Sequence, residues 1–137
     1  MCIDSIHGII YMFGGWDGKD ELSDLWAYDV KSKQWNCIAA DTSLVGGPSA
    51  RSCHKLSINE NLGQIYALGR YVDPKTAKEQ NLKGDFYRFD IASSTWFLLS
   101  ADTEKDGGTA DSVEFRAMAR LCARPLPGKG HGPGASV

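Results

Sequence analysis

The chain has 137 residues, 42% of them apolar and 23% charged, which fits a globular protein with a modest core. Its formal net charge of -2 gives no electrostatic case for nucleic acid or an anionic membrane surface. No apolar run approaches the ~20 residues of a membrane span, and Met1-Cys2-Ile3-Asp4 lacks the basic-then-apolar layout of a secretory leader, so a cytoplasmic chain without membrane insertion is expected.

In chain order, residues 1–4 form a short extended run, a first strand truncated at its start. Residues 9–13, Ile-Ile-Tyr-Met-Phe, are rich in β-formers and stop at Gly14 and Gly15. Residues 25–30 place Trp26, Tyr28 and Val30 on one face of a third strand. Lys31, Ser32 and Lys33 make a turn, and residues 35–39 add a fourth strand that starts at Trp35. The series then begins again. Residues 51–58 are its first strand, and 64–68 its second, stopped by Gly69. Residues 87–91 carry Tyr87, Phe89 and Ile91 on one face, and 96–99 start at Trp96.

Self-comparison makes the repetition explicit. Residues 1–15 lie over 56–70 at an offset of 55, so that Ile3 meets Ile58, Tyr11 meets Tyr66 and Gly14 meets Gly69. Residues 24–35 then lie over 85–96 at an offset of 61. Asp24 meets Asp85, Tyr28 meets Phe89, and Trp35 meets Trp96. The second copy therefore carries six extra residues (61 minus 55) in the loop before Asp85, and repeat architectures tolerate insertions in loops.

A four-strand unit repeated every ~50–60 residues points to propeller blades, with a β-sandwich as the alternative. Most strands are apolar on both faces, as strands covered by a neighbour on each side would be. The expected fold is all-β: about two four-stranded propeller blades, an incomplete β-propeller with a disordered or partly helical C-terminal tail. Its divisions are 1–47, 48–108 with a longer loop over 70–83, and a divergent Pro/Gly-rich tail over 109–137. Within the tail, residues 111–124 could place Arg116, Arg120 and Arg124 on one helical face. Two blades leave an apolar face bare at each end, so marginal stability is expected.

The order Tyr11-x-Phe13-Gly14-Gly15, Asp24, Tyr28-Asp29 and Trp35, repeated once, resembles the kelch motif. Tyr11, Gly14, Gly15, Tyr28, Trp35, Tyr66, Gly69, Phe89 and Trp96 take the structural positions, with the aromatic residues read as core. More narrowly, GGWDG (14–18), GPSARSCHK (47–55), IYALGRY (65–71) and KGDFYRFD (83–90) are similar to the kelch region of the muskelin family, where Arg70 also suits the place of a second glycine. That resemblance implies an intracellular scaffold in cell spreading and cytoskeletal organisation, within a CTLH-type ubiquitin ligase assembly. Its partners would be ubiquitin ligase subunits or cytoskeletal and adhesion-related proteins.

Strand parity puts the loops over 14–23, 40–50, 69–83 and 101–110 on one side of the sheets. Long loops on a rigid scaffold are where binding concentrates. The partner-binding candidates there are Trp16, Asp17, Lys19, Asp20, Arg51, Arg70, Tyr71, Asp73 and Lys75. Arg51 and Arg70 could instead satisfy loop carbonyls. Self-association through the bare blade faces is the alternative reading. The expectation is no enzyme, no metal and no cofactor. Only His7, His54 and His131 are present, Cys53 and His54 are read as strand neighbours pointing to opposite faces, and the cysteines at 2, 37, 53 and 122 are too scattered for a zinc site. No hydrolase elbow, phosphate loop or dinucleotide fingerprint occurs.

Overall fold

A computed structural model of the chain describes residues 1–71, 75, 84–103, 105 and 106. Asp73 and the segment proposed as a helix lie outside them. Two four-stranded antiparallel sheets form, each a simple meander. The first contains β1 (Cys2–Asp4), β2 (Ile9–Trp16), β3 (Glu21–Asp29) and β4 (Gln34–Ala39). The second contains β5 (Lys55–Asn59), β6 (Gln64–Leu68), β7 (Phe86–Asp90) and β8 (Thr95–Ser100). A single turn of 3-10 helix, Thr42–Val45, follows β4 and is capped by the Asp41 carboxylate.

The sheets repeat each other in register. Ile10 pairs with Tyr28 and Tyr28 with Trp35; Ile65 pairs with Phe89 and Phe89 with Trp96. Each third-to-fourth strand pair is interrupted by a bulge at the same place, between Leu25 and Trp26 or between Phe86 and Tyr87. The turns match as well. Val30 N–H donates to the Gly8 carbonyl at 3.0 Å, and Ile91 N–H donates to the Gly63 carbonyl at 2.9 Å. Lys33 and Ser94 both take the left-handed conformation, with φ of 59° and 50°.

The core lies between the sheets. Tyr11, Phe13 and Leu25 of the first meet Ile65, Ala67, Phe89 and Trp96 of the second. Burial therefore differs at equivalent positions, which corrects the reading of Trp35 as core. Trp96 is 6% exposed and Trp35 is 53% exposed. Trp96 faces the first sheet, where its ring lies 5.9 Å from that of Phe13. The corresponding face of the first sheet has no covering sheet among the described residues, and Trp35 contacts the rings of Tyr28 and Trp26 in its own sheet.

Two further expectations change. The loop expected over 14–23 is mostly strand, because β2 runs through the glycine pair to Trp16 and leaves a tip of residues 17–20. Gly14, at φ 52°, absorbs the irregularity between Phe13 and Gly15. A Cβ there would lie 2.7 Å from the Leu22 carbonyl oxygen and 2.9 Å from that of Arg51. Residues 51–54 are not strand either. They form a crossover between the sheets, with Cys53 at φ 55°, so Cys53 and His54 are not strand neighbours with alternating faces.

Candidate functional site

The crossover carries the densest polar network. Its backbone latches onto the first sheet: Arg51 N–H donates to the Leu22 carbonyl at 3.1 Å, and Gly15 N–H donates to the Arg51 carbonyl at 2.9 Å. Its side chain reaches the second sheet. Arg51 Nη1 and Nη2 grip the two carboxylate oxygens of Asp85, the latter at 2.9 Å, while Nε donates to the Ser49 carbonyl at 3.0 Å and Nη1 to the Gly69 carbonyl at 3.3 Å. The guanidinium carbon lies 5.8 Å from the centre of the Tyr87 ring. Arg51 is fully buried. A buried arginine is stable there because the fork geometry satisfies both oxygens of one carboxylate and its remaining donors meet carbonyls.

Arg70 supplies a second guanidinium to the same carboxylate, with Nη2 at 3.2 Å from Asp85 Oδ2. Burial alone would raise the Asp85 pKa, but the bonds and charges of Arg51 and Arg70 outweigh it and hold the carboxyl below its ordinary value. Sequence reading offers both arginines as partner contacts or as donors to loop carbonyls, and Arg51 does donate to the Ser49 and Gly69 carbonyls. The structure directs Arg51 inward and sets Arg70, half-buried, at the rim of this pair.

The outward candidates fall into two groups. Trp16, 59% exposed, ends β2, and Asp17, Lys19 and Asp20 form the adjoining tip, all exposed. Asp17 Oδ1 accepts the N–H groups of Lys19 and Asp20, each at 2.8 Å, and these bonds lower the Asp17 pKa. The tip is thus a shaped turn. Tyr71, 53% exposed, and Lys75, also exposed, belong to the second sheet's loop. Ser52 joins the groups: its carbonyl accepts Tyr71 N–H at 2.7 Å, and its N–H and Oγ donate to Glu21 Oε1 at 3.1 and 2.7 Å. Sequence reasoning did not single out Glu21, Ser52 or Asp85 as partners. The alignment of Asp85 with Asp24 was the available signal.

Among the described residues, no group of three or more His, Cys, Asp or Glu could hold a metal ion, and no helix is long and apolar enough to cross a membrane. His54 is half-buried with its ring edge-on to Phe13 at 4.9 Å. Burial, followed by the N-terminal ammonium and Arg51, pushes its pKa down to about 4. An open cleft of about 450 Å³ lies between the sheets, lined by residues including Ile9, Ala27, Gln34, Ile38, Phe89 and Ile91.

Twin four-stranded meanders stacked face to face and joined by a latched crossover have the architecture expected of incomplete propeller blades. Residues 1–40 match the Kelch motif. The chain is 38% identical over 103 residues to Mei4-dependent protein 6 of Schizosaccharomyces pombe, which covers 74% of this chain and 14% of that protein. It is also 28% identical over 107 residues to N-(sulfonatooxy)prop-2-enimidothioate sulfolyase of Thlaspi arvense, covering 72% of this chain and 28% of that enzyme. The chain thus spans only a minor part of either relative. Together with the sheets, these likenesses support a place for the chain in the kelch-repeat family.

Proposed function

We propose that the chain is a non-catalytic protein-binding module whose partner-facing surface is the rim formed by the 17–20 tip with Arg70, Tyr71 and Lys75. The carrying observation is the exposure of two large aromatic side chains, Trp16 and Tyr71, on a frame fixed by the Arg51–Asp85 pair. Exposed Trp and Tyr on rigid supports are the residue types that anchor protein interfaces. Asp17, Lys19, Asp20, Arg70 and Lys75 complete the surface, with Arg51 as its internal support, and Asp73, outside the described residues, is the remaining sequence candidate for it. In this reading the blades are 1–47 and 48–108, and 109–137 is a separate tail.

The muskelin-like sequences at 14–18, 47–55, 65–71 and 83–90 favour a cytoplasmic scaffold in cytoskeletal organisation and a CTLH-type ubiquitin ligase assembly. Affinity capture from cell extract, with mass spectrometry, tests the surface. A Trp16→Ala, Tyr71→Ala double variant with an unchanged circular dichroism spectrum is expected to retain less than a tenth of the captured partner. Full retention would move the surface elsewhere. A second reading, self-association, is favoured by the half-exposed Trp35, Phe97 and Leu99 on the outward sheet faces, and concentration-dependent light scattering tests it.

A further inference from the structure

In the second sheet, Arg51 is held by three groups: the Asp85 carboxylate, the Gly69 carbonyl and the face of Tyr87. The repeat offsets place Asp24, Gly14 and Trp26 at the same three positions of the first sheet. Local geometry follows the correspondence. Trp26 meets Trp35 edge-on at 6.4 Å and 86°, and Tyr87 meets Trp96 edge-on at 6.2 Å and 86°. Asp24 and Trp26 share a face, because Trp26 Nε1 donates to Asp24 Oδ2 at 2.7 Å. Among the described residues no cation pairs with Asp24, and its second oxygen accepts no hydrogen bond.

We infer that Asp24, Gly14 and Trp26 form a second guanidinium site, which takes an arginine on a segment like Pro48–Ser52. The Trp26–Asp24 bond fixes both the carboxylate and the indole plane, so the receptor is preorganised. Arginine suits it better than lysine. A planar fork can engage a carboxylate and a neighbouring carbonyl together while lying against an aromatic face, whereas an ammonium makes point contacts. Indole is also a stronger partner for a cation than the phenol ring at the equivalent position. The arginine could come from another chain or from sequence joined upstream of Met1; the chemistry recognised is the same. This inference does not rest on the location of the partner-facing rim.

The indole N–H of Trp26 gives a local NMR reporter. The probe is the blocked peptide Pro-Ser-Ala-Arg-Ser, the sequence of residues 48–52, added to the labelled full chain. Lysine and citrulline versions serve as controls, and a second arm joins each sequence upstream of Met1 through a flexible linker. The arginine peptide is expected to move the Trp26 indole signal saturably, at least tenfold more tightly than either control. The Trp96 signal should stay in place, and Asp24→Asn should abolish the response. A response to added peptide identifies a site open to other chains; a response only in the joined arm identifies a site served within a longer chain. An unmoved Trp26 signal in both arms would overturn the inference, as would equal responses to arginine, lysine and citrulline. The control peptides keep the test decisive even if Asp24→Asn does not fold.

Discussion

Truncating the two equivalent tryptophans should have unequal cost, because among the described residues only one is covered by a neighbouring sheet. A tryptophan can bury about 150–250 Å², and each Å² of apolar surface removed from water contributes about 25 cal/mol. Trp96 is 6% exposed, packs against Phe13, Tyr87 and Phe89, and lies so close to Gly47 that a Cβ there would be 2.8 Å from its ring. Trp96→Ala would also open a cavity between the sheets, giving a loss of about 3–5 kcal/mol. Trp35 is 53% exposed and lies on an open face, so Trp35→Ala removes about half the burial and leaves no enclosed void, a loss of about 2 kcal/mol or less. With a urea slope of about 2 kcal/mol/M, the midpoint should fall by about 2 M for Trp96 and by 1 M or less, roughly, for Trp35. Far-UV circular dichroism is the appropriate signal, since the substitutions remove fluorophores. If Trp96→Ala leaves no folded baseline, Trp96→Phe compared with Trp35→Phe preserves the ranking. Equal losses, or a larger loss at Trp35, would refute the argument that sheet stacking sets burial here.

Acid should loosen the crossover. The Asp85 carboxyl has a folded pKa below its ordinary value, so its stabilising contribution is present above about pH 4 and lost as pH falls through the folded value. Urea midpoints between pH 2 and 6 should show that loss, and Asp85→Asn should flatten it while lowering stability at neutral pH. His54 titrates in a different window. Its folded pKa of about 4 lies below the ordinary 6.5, so the unfolded chain takes up the proton first and stability declines as pH falls from about 6.5 towards 4. His54→Phe should remove that slope in the same titration. Gly14→Ala should lower stability by about 2 kcal/mol or more in urea melts, because it combines a positive φ with Cβ approaches to two carbonyl oxygens.

The strands were legible because alternation and aromatic placement are local properties, and the repeat fixed their equivalence. Offsets of 55 and 61 residues in the sequence became the same pairings in three dimensions, down to the bulge in the fourth strand. The glycine pair misled for a physical reason. Gly14 and Gly15 read as a strand stop, but positive φ at both can also carry a pairing ladder across an irregularity, as it does on the way to Trp16. Arg51 reads as a partner contact or a donor to loop carbonyls, yet its principal partner lies 34 residues away, beyond any local pattern. Trp35 and Trp96 make the same point about burial. Their sequence contexts agree, and the difference lies in whether another sheet stands opposite.

That difference constrains what can cover the first sheet. Its outward face joins an apolar surface containing Met12, Trp26, Tyr28 and Trp35 to the Asp24 carboxylate. A purely apolar partner would gain from covering the aromatic rings, but extending over the whole face would also take Asp24 out of water with, among the described residues, only the Trp26 N–H to satisfy it. A buried charge left without a counterion costs several kcal/mol, comparable with the gain from covering one large ring. A partner that also brings a guanidinium avoids that cost and gains the fork contact. The second sheet already shows this combination: the Tyr11, Phe13 and Leu25 surface covers its core face while Arg51 meets Asp85 at the end of the same face. The aromatic surface therefore favours association, and the carboxylate selects which surfaces can complete it.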